Sequence, residues 1–247
     1  MVPEDDRMAY DMRDVFTHVF DHDSVIELHR EWAGNALVGF GRLDGQSVGF
    51  IANQPKSMSG VLDINASDKA ARFILDCNQA GVPILFLHDV NGFMVGRESE
   101  QEGIIRRGAK LVSAVSNSVV PRISVILGGS YGAGHYAMSG KAYAPRFIFA
   151  LPSARYSVMG GQQAAKTILD IQAAQLRRRG QTMDDEALAD LQRSIEASYA
   201  EALNIRYAGA RLWVDEVLLP EELRPRLVRA LEACAHGADP EPLQVGV

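Results

Sequence analysis

Apolar and polar positions along this chain change period repeatedly, from short β-branched runs to stripes spaced three and four residues apart. The runs Ala36–Arg42 and Ser47–Ala52 read as strands, and Leu43-Asp-Gly-Gln46 between them is a hairpin turn signal. Pro83-Ile-Leu-Phe-Leu-His88 and Ile123-Ser-Val-Ile-Leu127 are apolar enough to be buried strands, and Phe147–Leu151 and Tyr156–Val158 follow. A helix capped by Ser67 or Asp68 is expected to run to Ala80, with Ala71, Ile74 and Leu75 inward and Gly81 as its stop. Ile104, Ile105, Gly108, Leu111, Val112 and Val115 form the stripe of another helix, and Gln162–Arg178, Asp184–Ser198 and Glu221–Ala235 read as three more. Residues 1–45 read as an irregular, acidic lead-in with short helical stretches near Met12–Phe20 and Ser24–Arg30, and 236–247 as a polar tail. Strand and helix alternate three times in the middle of the chain, which predicts parallel βαβ units in one α/β domain spanning 1–247.

Composition narrows the partners. With 247 residues, 47% of them hydrophobic, the chain can bury a sizeable core. A net charge of −6 offers no basic footprint for nucleic acid. No run of 18 apolar residues suggests a membrane span, and Met1-Val-Pro-Glu-Asp-Asp does not begin like a signal peptide. Two cysteines, Cys77 and Cys234, both in expected helices, suit a reducing cytoplasm. His18 and His22 lack a third ligand at metal-site spacing, so no metal is expected. Arg106, Arg107 and Lys110 read as an exposed helix face, and Arg177–Arg179 opposite Asp184–Glu186 as a solvated loop. Trp213 reads as core or subunit interface.

The candidate chemistry lies in Gly128-Gly-Ser-Tyr-Gly-Ala-Gly134, directly after the Ile123–Leu127 strand. Three readings are open. Gly128-x-Ser130-x-Gly132 fits a nucleophile elbow, with Asp215 and His236 following in hydrolase order. Gly132-x-Gly134-x-x-Ala137 fits a dinucleotide fingerprint, although Leu151–Tyr156 supplies no acidic residue for the ribose. The third reading is a backbone oxyanion hole, in which small residues at 133 and 134 let two N–H groups converge on an oxygen gaining charge.

The stretch from Gly128 to Arg146, Gly-Gly-Ser-Tyr-Gly-Ala-Gly-His-Tyr-Ala-Met-Ser-Gly-Lys-Ala-Tyr-Ala-Pro-Arg, resembles the signature of carboxyltransferase subunits of biotin-dependent acyl-CoA carboxylases. The methylcrotonoyl-CoA and related acyl-CoA type is the nearest. Gly49–Pro55, Asp68–Phe73, Asp89–Phe93, Gly103–Lys110, Ser157–Gly161 and Ala210–Asp215 resemble the same family in the same order, over roughly residues 1–235.

The resemblance implies a crotonase-type fold, a superhelix of ββα units, and specifically the C-terminal, biotin-side domain of a two-domain β subunit. It implies that Ala133 and Gly134 offer N–H groups to the ureido oxygen of biotin, that Gly132 lets the turn approach the ring, and that Tyr131 packs beneath it. Asn91-Gly92-Phe93 would wall the biotin pocket, and Tyr136 would help select the acyl group. No side chain is an obvious general base, which suits a mechanism in which biotin itself takes the α-proton. The implied cofactor is biotin, borne as carboxybiotin on a partner carrier protein. The implied partners are an acyl-CoA, an N-terminal carboxyltransferase half, a biotin carboxylase or carrier subunit, and further copies in an oligomer. Two other functions stay open: a biotin-independent crotonase-like decarboxylase or hydrolase of CoA thioesters, and a non-catalytic scaffold subunit of a carboxylase.

Overall fold

Residues 2–3, 8–178 and 185–235 are described by the structure, a computed structural model. In chain order these are α1 (Met12–Val19), β1 (Ile26–Leu28), β2 (Ala36–Leu43), β3 (Gln46–Asn53), α2 (Ile64–Ala80), β4 (Ile84–Val90), α3 (Arg97–Glu102), α4 (Ile104–Ser116) and β5 (Arg122–Tyr131). Then come α5 (Gly132–Ala137), β6 (Phe147–Ala150), β7 (Arg155–Ser157), α6 (Gly161–Arg178), α7 (Asp185–Leu203), α8 (Ile205–Gly209), β8 (Glu216–Val217) and α9 (Pro220–Ala235).

One sheet in the order β1-β2-β3-β4-β5-β6-β8 organises the chain, with β7 paired to β5 off that path. The expected hairpin joins β2 to β3. Asp44 (φ 52°) and Gly45 (φ 77°) both take left-handed backbone, as a two-residue turn with the strand's own twist requires. The Asp21 carboxylate accepts from both of their N–H groups, at 3.0 and 2.8 Å. Among the described residues, the strand pairs β3–β4, β4–β5, β5–β6, β5–β7 and β6–β8 are parallel, as strand–helix alternation predicts.

Successive residues of the central strands serve opposite cores, so these strands read as apolar throughout. Phe50, Leu85, Leu87 and Val125 pack with Val15 and Phe16 of α1 and Leu227 and Leu231 of α9. Ile51, Phe86 and Ile84 pack on the other face with Phe73 and Ile74 of α2 and Leu111 and Val115 of α4. Each such side chain contributes about 1.5–3 kcal/mol through burial.

Several expectations change. Ser24–Arg30 is not helical: Ile26–Leu28 forms β1 by pairing with Val38–Phe40. The cap of α2 is Asp63, whose carboxylate accepts from Ala66 N–H at 2.8 Å, while Asp68 pairs with Arg107 and Lys110 of α4. Leu75 is 51% exposed and Ile105 76%, although both were expected to face inward. A helix of 3.6 residues per turn cannot turn both Ile74 and Leu75, or both Ile104 and Ile105, fully to one side. The strand before the glycines does not stop at Leu127 but continues through Tyr131, because Gly129–Tyr131 pair with Arg155–Ser157. Helix α5 accordingly starts at Gly132, and α3, α8 and β8 were not anticipated. His236, the tail 236–247 and part of the Arg177–Glu186 segment lie outside the described residues.

Candidate active site

The site is built where β4 and β5 end side by side. Ile84–His88 pair with Arg122–Ile126, and a register shift then brings Val90 opposite Ser130. Beyond Ile126, β5 leaves β6 and pairs with β7 instead, so its last residues project past the main sheet before the chain turns. The turn is at Gly132, with φ of 52°. A Cβ there would stand 2.8 Å from the Val158 carbonyl oxygen, so the position needs glycine for both conformation and space.

Two residues on, a Cβ at Gly134 would lie 2.8 Å from Gly92 Cα and 2.8 Å from Val90 Cγ2. The glycine turn and the Asn91-Gly92-Phe93 loop therefore touch backbone to backbone. Ala133 is exposed beside Gly134, which is buried. The first N–H groups of a helix have no partner within it, and residues 133 and 134 are the second and third of α5. The loop is tied down by Leu62, whose N–H donates to the Gly92 carbonyl and whose carbonyl accepts from Met94 N–H, both at 2.9 Å. Asn91 donates to the Ser59 carbonyl at 2.9 Å.

The rings of Phe93 and Tyr131 pack against backbone of the chain itself. The Phe93 ring lies against Gly108 of α4 and joins the core there. Tyr131 is buried with its ring folded over Gly129 of its own strand. Tyr136 is 40% exposed at the rim of a cavity of about 560 Å³ that opens beside Gly132. Tyr156, Val158, Tyr207 and Trp213 line that cavity. Burial and the neighbouring Tyr136 hydroxyl push the Tyr156 phenol up to about 12.

Beneath the turn lies a polar cluster that sequence reasoning did not assemble. Ser130 Oγ is 3.0 Å from His88 Nδ1 and 2.9 Å from His135 Nδ1, and all three side chains are buried. Desolvation pushes His88 down to about 4 and, with His88 beside it, His135 down to about 2, so both rings are neutral. The signal for His88 was present, since an imidazole inside a strand with both faces covered must find a partner.

The nucleophile-elbow reading fails on this geometry. Ser130 is fully buried inside β5 rather than at a turn tip. Asp215 accepts from Ile148 N–H at 2.7 Å and pairs with Lys141, so it serves the β6 edge. Among the described residues, no helix is long and apolar enough to cross a membrane, and no group of three or more His, Cys, Asp and Glu side chains could hold a metal.

Comparison with known proteins agrees with this architecture. The chain is 39% identical over 236 residues to the biotin-dependent 3-methylcrotonyl-coenzyme A carboxylase beta1 subunit of Mycobacterium tuberculosis, covering 96% of this chain and 44% of that protein. It is 39% identical to the methylmalonyl-CoA carboxyltransferase 12S subunit of Propionibacterium freudenreichii subsp. shermanii, covering 95% of this chain and 43% of that one. Among solved structures, the transcarboxylase 12S hexamer with hydrolysed methylmalonyl-coenzyme A superposes with a TM-score of 0.88 at 38% identity, over 100% of this chain and 46% of that chain. The beta subunit of Pseudomonas aeruginosa geranyl-CoA carboxylase gives 0.86 at 35%, over 100% and 45%. The chain thus spans less than half the length of these relatives. These neighbours are carboxyltransferases of crotonase-like fold, as the sequence resemblance implied. Residues 1–244 match the carboxyl transferase domain, and on that match and these likenesses the chain belongs to the carboxyl transferase domain family.

Proposed function

We propose that residues 1–247 form one domain, the biotin-side half of the carboxyltransferase of a biotin-dependent acyl-CoA carboxylase. The observation that carries the reading is the close approach of Gly134 to Gly92, with the Val90 methyl packed beside them, which sets the two loops together as the wall of a cradle beside the exposed Ala133. A flat ureido ring needs such a cradle: backbone donors to its oxygen, and no Cβ in the way. Carboxybiotin, borne on a partner carrier protein, supplies the carboxyl group when bound.

The chain's own contribution is electrostatic. Ala133 and Gly134 hold two N–H groups where negative charge develops on the ureido oxygen, and each such donor is worth roughly 10²–10³ in rate. Gly132 supplies the turn that aims them, while Asn91 and Gly92 close the opposite side. Phe93 and Tyr131 act from behind, by fixing the loop on α4 and the end of β5. Tyr136, at the cavity rim, contacts the acyl group of a CoA thioester held mainly by an N-terminal carboxyltransferase half. The relatives' names, a beta subunit of a biotin-dependent carboxylase and a hexameric multienzyme core, support further subunits in an oligomer, and the reading places a biotin carboxylase and a carrier among them.

The test is a titration of free biotin into the isotopically labelled chain, followed by amide NMR. Resonances of Ala133, Gly134, Asn91 and Gly92 move if the reading holds. Shifts confined to other parts of the chain, or none at millimolar biotin, overturn it.

A further inference from the structure

The hydrogen bonds around Ser130 run in one direction, and that direction is fixed at one end. Lys141 N–H donates to His135 Nε2 at 3.4 Å, so this nitrogen carries no proton. A neutral His135 therefore holds its proton on Nδ1 and donates it to Ser130 Oγ, 2.9 Å away. The Ser130 hydroxyl then donates to His88 Nδ1 at 3.0 Å. His88 in turn carries its proton on Nε2, a buried nitrogen with no partner in normal hydrogen-bond geometry, and the Met138 backbone is a polar neighbour of the ring.

The placement of the three residues gives the chain of bonds a purpose. Ser130 is the residue before the turn begins and His135 is the residue after Gly134, so their bond closes the base of the segment Tyr131-Gly132-Ala133-Gly134. His88 lies on β4, three residues before Asn91, so the same serine ties the second loop to the first. The His135 ring has no room to swing. A Cβ at Gly140 would be 2.4 Å from its Cδ2, and the Tyr156 ring lies against it with centroids 4.3 Å apart.

We propose that His88, Ser130 and His135 are positioning residues: a directional hydrogen-bond chain that holds the Ala133–Gly134 amide pair and the Asn91–Gly92 loop in one fixed relation. None of the three need touch substrate. The inference rests on the backbone-donor reading of the turn, and its test separates the two.

Histidine-selective proton–nitrogen NMR on the full chain reads the tautomers directly. The expected result is opposite tautomers, Nδ1–H for His135 and Nε2–H for His88. Ser130→Ala is expected to shift the Ala133 and Gly134 amide resonances. His135→Asn, whose side-chain N–H can stand in for Nδ1–H, leaves them near their wild-type positions, whereas His135→Leu does not. In the assembled enzyme, Ser130→Ala lowers kcat by about 10²-fold with little change in KM, the scale of a misplaced catalytic group, and His135→Asn retains most of the rate. Both histidines in the same tautomer, or amides of 133 and 134 unmoved by Ser130→Ala, overturn the proposal, as does an unchanged kcat in that variant. A wild-type assembly without turnover counts against the carboxyl-transfer reading instead, and the NMR outcome decides the positioning role by itself.

Discussion

Gly134 and Gly92 meet backbone to backbone: a single carbon added to the first would stand 2.8 Å from the Cα of the second. Two loops from neighbouring parallel strands can come that close only where both lack side chains. This contact joins the two segments that the sequence marked separately, the glycine turn after β5 and the loop after β4.

Gly134→Val follows directly. The added atoms meet backbone and the packed Val90 methyl, neither of which yields cheaply, so the loops must separate. Overpacking of this kind costs about 1–3 kcal/mol, so a drop in Tm accompanies the loss of transfer. The loss is expected to be at least the 10²-fold or so of one missing donor. A variant with wild-type turnover would remove the turn from the active site.

Buried neutral histidines make stability pH-dependent with a definite sign. His88 and His135 titrate at about 4 and about 2 when folded and near 6.5 when unfolded, so below 6.5 the unfolded state binds more protons. Their contribution to stability is complete well above pH 6.5 and is lost as pH falls from there, toward about 4 for His88 and toward about 2 for His135. The slope is about 1.4 kcal/mol per pH unit for each histidine. Urea unfolding at pH 7 and pH 5 should show the fall, and His135→Asn should remove about half of it.

Ser130 should resist a fluorophosphonate probe. Its hydroxyl is buried and already spans two imidazoles, so no reagent reaches it in the native fold. Mass spectrometry that found a labelled Ser130 in the folded protein would restore the hydrolase reading.

Lys69 is buried in α2 with its ammonium on three carbonyls, those of Trp32 at 2.7 Å, Ala36 at 2.8 Å and Ala33 at 3.3 Å. Replacing it with Met removes the donor from the Trp32 and Ala36 oxygens, at about 1–3 kcal/mol for each that water does not reach, while the Ala33 oxygen still accepts from Ala36 N–H at 3.1 Å. Denaturant unfolding of Lys69→Met should show a lower midpoint, and an unchanged midpoint would mean the loop at 32–36 is held by other contacts.

Much of the fold was legible in the chain, because local rules and tertiary structure agreed. Strands with both faces buried read as unbroken apolar runs, Gly81 ends α2 in left-handed backbone, and Asp44-Gly45 makes the expected turn. The misreadings occur where a partner distant in sequence decides. Ile26–Leu28 becomes a strand only because β2 lies beside it, and Gly128–Tyr131 stays extended only because β7 pairs with it. The candidate site shows the same division. Glycine positions at 92, 132 and 134 were readable as backbone requirements. Ser130 was visible as a serine in a motif, yet its two histidines, 42 and 5 residues away, could be joined to it only by the register of β4 on β5.

The central claim is that this chain supplies the biotin side of a carboxyl transfer. Decarboxylation of malonyl-CoA, methylmalonyl-CoA and methylglutaconyl-CoA with added biotin tests it most directly, using the chain alone and mixed with a candidate N-terminal half. The account predicts turnover that needs both biotin and the second half, and that Gly134→Val abolishes. Turnover by the chain alone without biotin would contradict it in favour of a self-sufficient CoA-thioester enzyme, and stable assembly without turnover in any mixture would contradict it in favour of a scaffold.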